Sequence, residues 1–164
     1  MIRRFSPWRR GFHLAFATLP LGVRKRLVRH GTPNYTVGSV VLLRSGDGAL
    51  LLLRQPPGNE GWSLPGGLLD RFEQPAAGAL RELEEETGVR LDPSGLRPAE
   101  PNAVVEPRVQ QVDCVFTATV DPAALALDPD PVEVLEARWF SADDLPPLTP
   151  PTARLLACYG LPVA

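Results

Sequence analysis

The chain has 164 residues, of which 44% are hydrophobic and 22% charged, proportions typical of soluble globular proteins. A chain of this length can bury about two thirds of its unfolded surface in one core, so a single main domain is expected. No apolar run approaches the roughly 20 residues that a membrane-spanning helix needs, which argues against a transmembrane segment. The segment GFHLAFATLPLGV is similar to a signal peptide, but its short apolar run is interrupted by His13, so a cytoplasmic location is predicted.

The net charge of −2 conceals a strong asymmetry along the chain. Nine of the 17 basic residues and none of the 19 acidic residues lie within the first 46 positions. A basic arm of this kind can contact phosphates, a membrane surface or the acidic remainder of its own chain. We therefore treat residues 1–34 as a basic helical extension and residues 35–164 as the principal domain. Within the extension, the spacing of Leu19, Val23 and Leu27 predicts a helix that begins near Pro20 and stops at Gly31.

The middle of the chain begins with a predicted β-hairpin over residues 36–55, where two apolar runs flank the turn sequence SGDG. The segment WSLPGG follows as a short strand that ends in two glycines, Gly66 and Gly67. Residues 75–87 form the clearest helix, because Pro75 suits a first turn and Gly88 suits a C-terminal stop.

The last third of the chain predicts two more strands, over residues 108–120 and 132–140, joined by a loop rich in proline and aspartate. The segments SADDL and TPPTARLLACYG indicate two short helices near the C-terminus. Strands on both sides of one clear helix predict a mixed α/β or α+β sandwich.

The helix over residues 75–87 carries four glutamates within five positions. On a helical wheel Glu82, Glu85 and Glu86 form one ridge beside the apolar stripe, whereas Glu84 points elsewhere. Carboxylates that converge beside a core need cations, and Mg²⁺ or Mn²⁺ takes oxygen ligands together with substrate phosphate oxygens. Gly78 lies one turn before Glu82, and we expect it to leave open space above the ridge for metal, water and a diphosphate. A solvated acidic helix face is the alternative interpretation.

Residues Gly67 to Val89 resemble the signature of the Nudix hydrolases, G-x5-E-x7-R-E-U-x-E-E-x-G-U, in which U is a bulky aliphatic residue. Every fixed position of the signature is filled. A looser resemblance extends over residues 35–147. It implies a Nudix-type α/β/α sandwich with a central mixed sheet, in which the signature forms a loop, a helix and a loop.

The resemblance also implies an activity: hydrolysis of a diphosphate bond, either between a nucleoside diphosphate and another moiety or in a nucleoside triphosphate, with Mg²⁺ or Mn²⁺. Glu82, Glu85 and Glu86 then correspond to metal ligands, and Gly67 to a carbonyl ligand or a required turn. Glu73 and Arg81 correspond to an ion pair that orients the helix. The general base stays open, because the family uses either a signature glutamate, here Glu82 or Glu85, or an acid of a later loop. The loop acids of this chain are Asp128, Asp130 and Glu133.

Three further residues are predicted to contact the substrate. Arg54 at the end of the second strand can hold a phosphate, although a plain surface arginine is the alternative. Trp62 can stack on a base, although packing against a loop is the alternative. Gly66, in the glycine pair, lets backbone amides approach a ligand closely.

Other functions remain compatible with the sequence. A Nudix-fold sensor would bind a nucleotide without turning it over, and an RNA 5′-end processing enzyme would use the basic arm along a phosphate backbone. Residues 8–30 could instead lie on a membrane surface as a helix, or dock on the chain's own domain or on the second subunit of a homodimer. The expected partner is a small diphosphate, in most cases a nucleotide; RNA is a weaker candidate and DNA is not expected.

Overall fold

The computed structural model describes residues 16–56 and 60–162, and the chain divides after Tyr35 into two compact units. In the N-terminal unit, helix α1 spans Leu21–Gly31 and is preceded by Pro20. No α1 residue is buried, and Leu21, Val23, Leu27 and Val28 expose about half or more of their surface. Residues 1–15, which include part of the predicted extension and of the proposed membrane-surface helix, lie outside the described residues. None of the described helices has the length and apolarity to cross a bilayer.

The second unit is built on a mixed sheet. The predicted hairpin is present as β1 (Thr36–Ser45) and β2 (Leu50–Arg54), followed by the short strand β3 (Gly66–Leu68). Strands β4 (Arg97–Glu106), β5 (Gln111–Val120) and β6 (Glu136–Phe140) complete the sheet in the order β4-β5-β1-β2-β6, with β3 paired to β1. Strands β1 and β5 are parallel, whereas the other neighbours are antiparallel.

Two helices cover opposite faces of this sheet. Helix α2 (Pro75–Thr87) packs Ala79 and Leu83 into one core with Val41, Leu43 and Leu51. Helix α3 (Pro150–Cys158) packs Leu155 and Leu156 into a second core with Leu42, Leu50 and Leu52. Successive residues of a strand point to opposite faces, so the all-apolar runs of β1 and β2 supply both cores. The predicted mixed-sheet sandwich is therefore confirmed.

Helix α2 has the bounds that the sequence predicts. Pro75 occupies its first turn, and Gly88 ends it in the left-handed conformation with φ of 73°. The Gly88 N–H donates to the carbonyl of Glu84 at 2.8 Å, which satisfies one of the last carbonyls of the helix. The direction of the glutamate ridge is thus set by local sequence.

Several strand predictions are wrong in detail. No strand is predicted from the sequence over the residues of β4, which contains Pro98 and Pro101. As an edge strand with a register shift between Pro98 and Ala103, it tolerates missing N–H donors. Arg108 lies in a turn rather than at the start of β5. Strand β6 begins at Glu136 and not at residue 132. The strand predicted for WSLPGG begins only at its two glycines, as β3. The segment SADDL, predicted as a short helix, forms a turn.

Candidate active site on the glutamate ridge

A bidentate ion pair between Arg81 and Glu73 connects the loop before α2 to the helix. Arg81 donates from Nε and Nη2 to the two carboxylate oxygens of Glu73, both at 2.9 Å, and the Asp70 N–H donates to Glu73 at 2.8 Å. The hydrogen bonds from Arg81, followed by that from Asp70, lower the pKa of Glu73 to about 2. Paired hydrogen bonds of this geometry fix orientation as well as charge, so Glu73 and Arg81 form the brace implied by the signature.

Arg81 also contacts the ridge itself. Its Nη1 donates to Glu82 and to Glu85, each at 2.9 Å, and its Nη2 donates to the carbonyl of Leu68 at 3.2 Å. The bond to Glu73 is the main cause that raises the pKa of Arg81, and those to the two ridge glutamates add to it. One guanidinium therefore holds three carboxylates and the end of β3 in a single arrangement.

Glu86 is the buried member of the ridge, with 4% of its surface exposed. Its oxygens accept from the Gly66 N–H at 2.8 Å and from Gln55 Nε2 at 3.1 Å. Burial raises the pKa of Glu86 to about 7, because the two neutral donors compensate only part of the lost hydration and the negative charges of Glu82 and Glu133 raise the pKa further. A buried carboxylate held by neutral donors is chemically suited to a cation.

Glu82 lies against the double glycine. A Cβ built on Gly67 would come within 2.5 Å of Glu82 Oε1, so any other residue there would displace this carboxylate from its present position. Burial is the main cause that raises the pKa of Glu82, opposed by its contact with Arg81. The signature glycine therefore lets the Glu82 carboxylate lie directly against β3.

The oxygen-only donors of Glu82, Glu85 and Glu86 fit the chemistry of Mg²⁺ or Mn²⁺. Within residues 16–56 and 60–162, however, no three acidic, His or Cys side chains are gathered closely enough to share an ion as they stand. Glu82 and Glu85 are instead turned to Arg81, and Glu86 to β3. The metal-ligand assignment stays a prediction, and Glu84 is separate from the ridge because it pairs with Arg90 at 2.7 Å.

The three acids of the later loop take different positions. The N–H of Asp128 donates to the Thr87 carbonyl at the end of α2, and Asp130 organises a turn by accepting the N–H of Val132 at 2.9 Å. Glu133 is exposed, and its negative charge contributes to raising the pKa of both Glu82 and Glu86. Among the three loop acids, Glu133 is therefore the one whose charge affects the ridge glutamates.

The predicted substrate contacts are less supported by geometry. Arg54 pairs with Glu136 at 3.5 Å across β2 and β6, and the Gly66 N–H is directed to Glu86. The Trp62 ring packs edge-to-face on Phe140 with centroids 4.6 Å apart, so it packs as the alternative expected, but against a residue of β6 and not against a loop. The substrate-binding roles of Arg54, Trp62 and Gly66 stay predictions.

The expectation for Gly78 is wrong. This residue is buried, and a Cβ there would lie 2.5 Å from Leu69 and 2.9 Å from Glu73. Its missing side chain lets α2 approach the loop closely and leaves no open space for a diphosphate.

A cleft of about 860 Å³ opens on the sheet face that α3 covers, and sequence reasoning missed its polar residues. Gly66, Gly67 and Gln55 line it and also contact the ridge, while Gln111 and Asp113 come from β5. Gln55 is the last residue of the predicted hairpin and directly follows β2 in the structure, and this place at a strand end was the available signal for it. Gln111 and Asp113 alternate along a predicted strand and carry no motif.

A mixed sheet between two helices, with a braced glutamate ridge beside a double glycine, defines the class of domain. The family model described as NUDIX domain matches residues 34–158, and the chain belongs to the Nudix family. The predicted family membership is therefore confirmed.

Similar proteins include several named hydrolases. A CMP-5'-(N-acetyl-N-hydroxy-3-aminopropyl)phosphonate hydrolase of Streptomyces rubellomurinus is 40% identical over 88 residues, 51% of this chain and 39% of the relative. The NAD-capped RNA hydrolase NudC of Salmonella paratyphi C is 30% identical over 112 residues, 68% of this chain and 41% of the relative. The chain thus spans about two fifths of the length of these curated relatives.

The fold is shared with a solved MutT NUDIX hydrolase from Burkholderia pseudomallei. That structure is 28% identical, with a TM-score of 0.63, over 76% of this chain and 97% of its own.

Proposed function

We propose that the protein is a Nudix pyrophosphohydrolase that cleaves a diphosphate bond, either in a nucleoside diphosphate linked to another moiety or in a nucleoside triphosphate, with Mg²⁺ or Mn²⁺. The observation that carries this proposal is the ridge of Glu82, Glu85 and buried Glu86, braced by Arg81 beside Gly66 and Gly67. A purely structural acidic face would not need a carboxylate that is 4% exposed and bonded only to neutral donors.

Glu82, Glu85 and Glu86 would hold the metal, with the carbonyl of Gly67 as a further oxygen ligand. When bound, the ion neutralises charge that develops on the phosphoryl oxygens and lowers the pKa of water. The bidentate pair of Arg81 with Glu73 fixes the plane of the Arg81 guanidinium. The guanidinium in turn orients the carboxylates of Glu82 and Glu85, which it also contacts.

Glu133 is the favoured general base. Its charge reaches both Glu82 and Glu86, whereas Asp128 adjoins the end of α2 and Asp130 holds the turn. Its carboxylate takes a proton from water as the water oxygen bonds to phosphorus, and the bridging phosphorus–oxygen bond breaks to release a phosphate product. Glu82 and Glu85 are less suited because Arg81 already occupies an oxygen of each.

The names of the relatives suggest which classes of substrate to test. One relative is named for a CMP-linked phosphonate and another for NAD-capped RNA, so both classes belong in a substrate panel. A cytoplasmic location fits such substrates. Homodimerisation through the basic arm remains a proposal, which mass measurement with and without residues 1–34 would test.

The deciding experiment compares wild type with Glu85→Gln across a CMP-linked phosphonate, ADP-ribose, NAD, NAD-capped RNA and nucleoside triphosphates, with Mg²⁺ or Mn²⁺. Loss of a metal ligand is expected to lower phosphoanhydride hydrolysis by roughly 100-fold, since ion catalysis supplies several kcal/mol. Glu84→Gln is the matched control, because Glu84 lies in the same run of acids but pairs with Arg90. Equal rates for wild type and Glu85→Gln would reject the ridge as the site, and binding without hydrolysis by wild type would indicate a sensor.

A further inference from the structure

Helix α1 has two chemically different sides. At about 100° per residue, its large apolar side chains fall within one arc of roughly 160°. This apolar arc consists of Leu21, Val23, Leu27 and Val28. The opposite side is the basic arc, which consists of Lys25, Arg26, Arg29 and His30. Such segregation is typical of a helix that lies along the boundary between an apolar and a polar medium.

Arg24 is the one cationic residue of α1 on the side of the apolar arc. Its guanidinium carbon lies 5.3 Å from the centroid of the Phe16 ring, a distance at which cation–π attraction operates. Phe16 therefore lies beside the apolar arc and adds an aromatic group to it. The long side chain of Arg24 can extend along this surface while its charge reaches a polar layer.

The apolar arc faces solvent. Leu21 is 70% exposed, and Val23, the least exposed member of the arc, is 45% exposed. No residue of α1 is buried. Because a short helix is marginal in water and gains most of its stability when its apolar face packs against another surface, the arc indicates a partner surface that is apolar.

The charge of α1 indicates that this partner is also anionic. Four of its 11 residues are Lys or Arg, and the chain has no Asp or Glu before Asp47. The phosphate backbone of RNA would use the cations but would leave the apolar arc in water. An anionic bilayer uses both sides, since apolar side chains enter the boundary between headgroups and acyl chains while cations contact lipid phosphates.

The length of α1 suits a position in the plane of the membrane. Its 11 residues extend about 16 Å, and the described helices are too short or too polar to cross a bilayer. We propose that α1 binds the surface of an anionic lipid bilayer, with the apolar arc toward the acyl chains and the basic arc toward lipid phosphates. A cytoplasmic leaflet supplies lipids of this charge. This inference goes beyond the proposed hydrolysis and does not depend on it.

The test measures cosedimentation of the full chain with vesicles of phosphatidylcholine, either alone or with about 30% phosphatidylglycerol. Wild type is expected to bind the anionic vesicles and not the neutral ones. Leu27→Gln keeps a residue of high helix propensity and should weaken this binding about tenfold, and Arg29→Gln should weaken it about fivefold. Leu135→Gln and Arg97→Gln are the matched controls, because they remove an exposed leucine and an exposed arginine outside α1 and should bind as wild type does.

The role of the apolar arc separates insertion from simple charge attraction. An effect of Arg29→Gln without an effect of Leu27→Gln would overturn the proposal, as would equal binding to neutral vesicles or no binding to anionic ones. Leu21→Gln provides a second variant of the apolar arc if Leu27→Gln lowers the melting temperature of the free protein.

Two measurements identify the other possible occupants of α1. Binding of a single-stranded RNA oligomer without binding of vesicles would overturn the proposal in favour of a nucleic-acid surface. A wild-type dimer that Leu27→Gln makes monomeric, again without vesicle binding, would overturn it in favour of a second copy of the chain. Leu27→Gln should hydrolyse soluble substrates at the wild-type rate, so absence of hydrolysis by wild type rejects the proposed function alone and leaves the vesicle result unaffected.

Discussion

The two faces of the central sheet use charge in opposite ways. On the α2 face, the single guanidinium of Arg81 contacts Glu73, Glu82 and Glu85. On the α3 face, Asp113 lies in a cleft lined by both polar and apolar side chains, and its described lining contains no lysine or arginine. Successive residues of β1 point to opposite faces, with Ser39 and Val41 on the α2 face and Val40 and Leu42 on the α3 face. One strand therefore separates a surface where a cation gathers carboxylates from a cleft where the described lining offers no basic side chain.

Substitutions in the two cores should change the free energy of unfolding more than any other change considered, and they test whether both cores are equally important for stability. Leu83→Ala under α2 and Leu155→Ala under α3 should each lower the free energy of unfolding by about 2–5 kcal/mol, since both side chains are nearly fully buried. Urea denaturation measures this, and Leu135→Ala, which is 53% exposed, should change it by about 0.5 kcal/mol or less. A cost confined to one of the two variants would show that the two cores are not equally important.

The next effect concerns the brace on the α2 face. Arg81→Lys keeps the positive charge but cannot donate two parallel hydrogen bonds to Glu73 while contacting Glu82 and Glu85. Metal-dependent hydrolysis should fall by about 10- to 100-fold, as expected for groups that orient metal ligands. Arg90→Lys changes an exposed arginine that pairs with Glu84, and its rate should match wild type. Equal hydrolysis rates for Arg81→Lys and wild type would show that the bidentate contact with Glu73 does not orient the ridge.

The smallest expected effect is a pH dependence of stability due to Glu73. Its pKa in the folded protein is about 2, below the ordinary value of 4.5, so its stabilising contribution is present above pH 4.5 and lost as pH falls through 2. Glu73→Gln should therefore be less stable than wild type at neutral pH, with a difference that shrinks between pH 4.5 and 2. Thermal melting across this range measures it. A difference that stays constant down to pH 2 would show that the charge of Glu73 is not involved.

The local part of the site could be read from the sequence. The bounds of α2, its stop at Gly88 and the direction of Glu84 away from the ridge all follow from helical geometry and turn chemistry. The hairpin of β1 and β2 likewise follows from two apolar runs around a short turn. These features depend on residues within a few positions of each other.

Features that depend on strand pairing were missed or misplaced. Strand β4 was not predicted, and the structure accommodates its prolines because it lies at the edge of the sheet. Gly78 was expected to face open space, because a wheel gives direction but not what packs against it. Neither error could be removed without knowing the neighbours of each element.

The family signature, the helix that carries the glutamates and the direction of each glutamate around that helix follow from the sequence alone. The tertiary structure was needed to show that Arg81 contacts the Leu68 carbonyl at the end of β3, that Glu86 is buried against Gly66, and that the charge of Glu133 acts on both Glu82 and Glu86. It alone also gathered Val40, Leu64, Asp113 and Leu155 around one cleft. The physical reason is that helical periodicity is local, whereas burial and charge contact depend on which distant strands become neighbours.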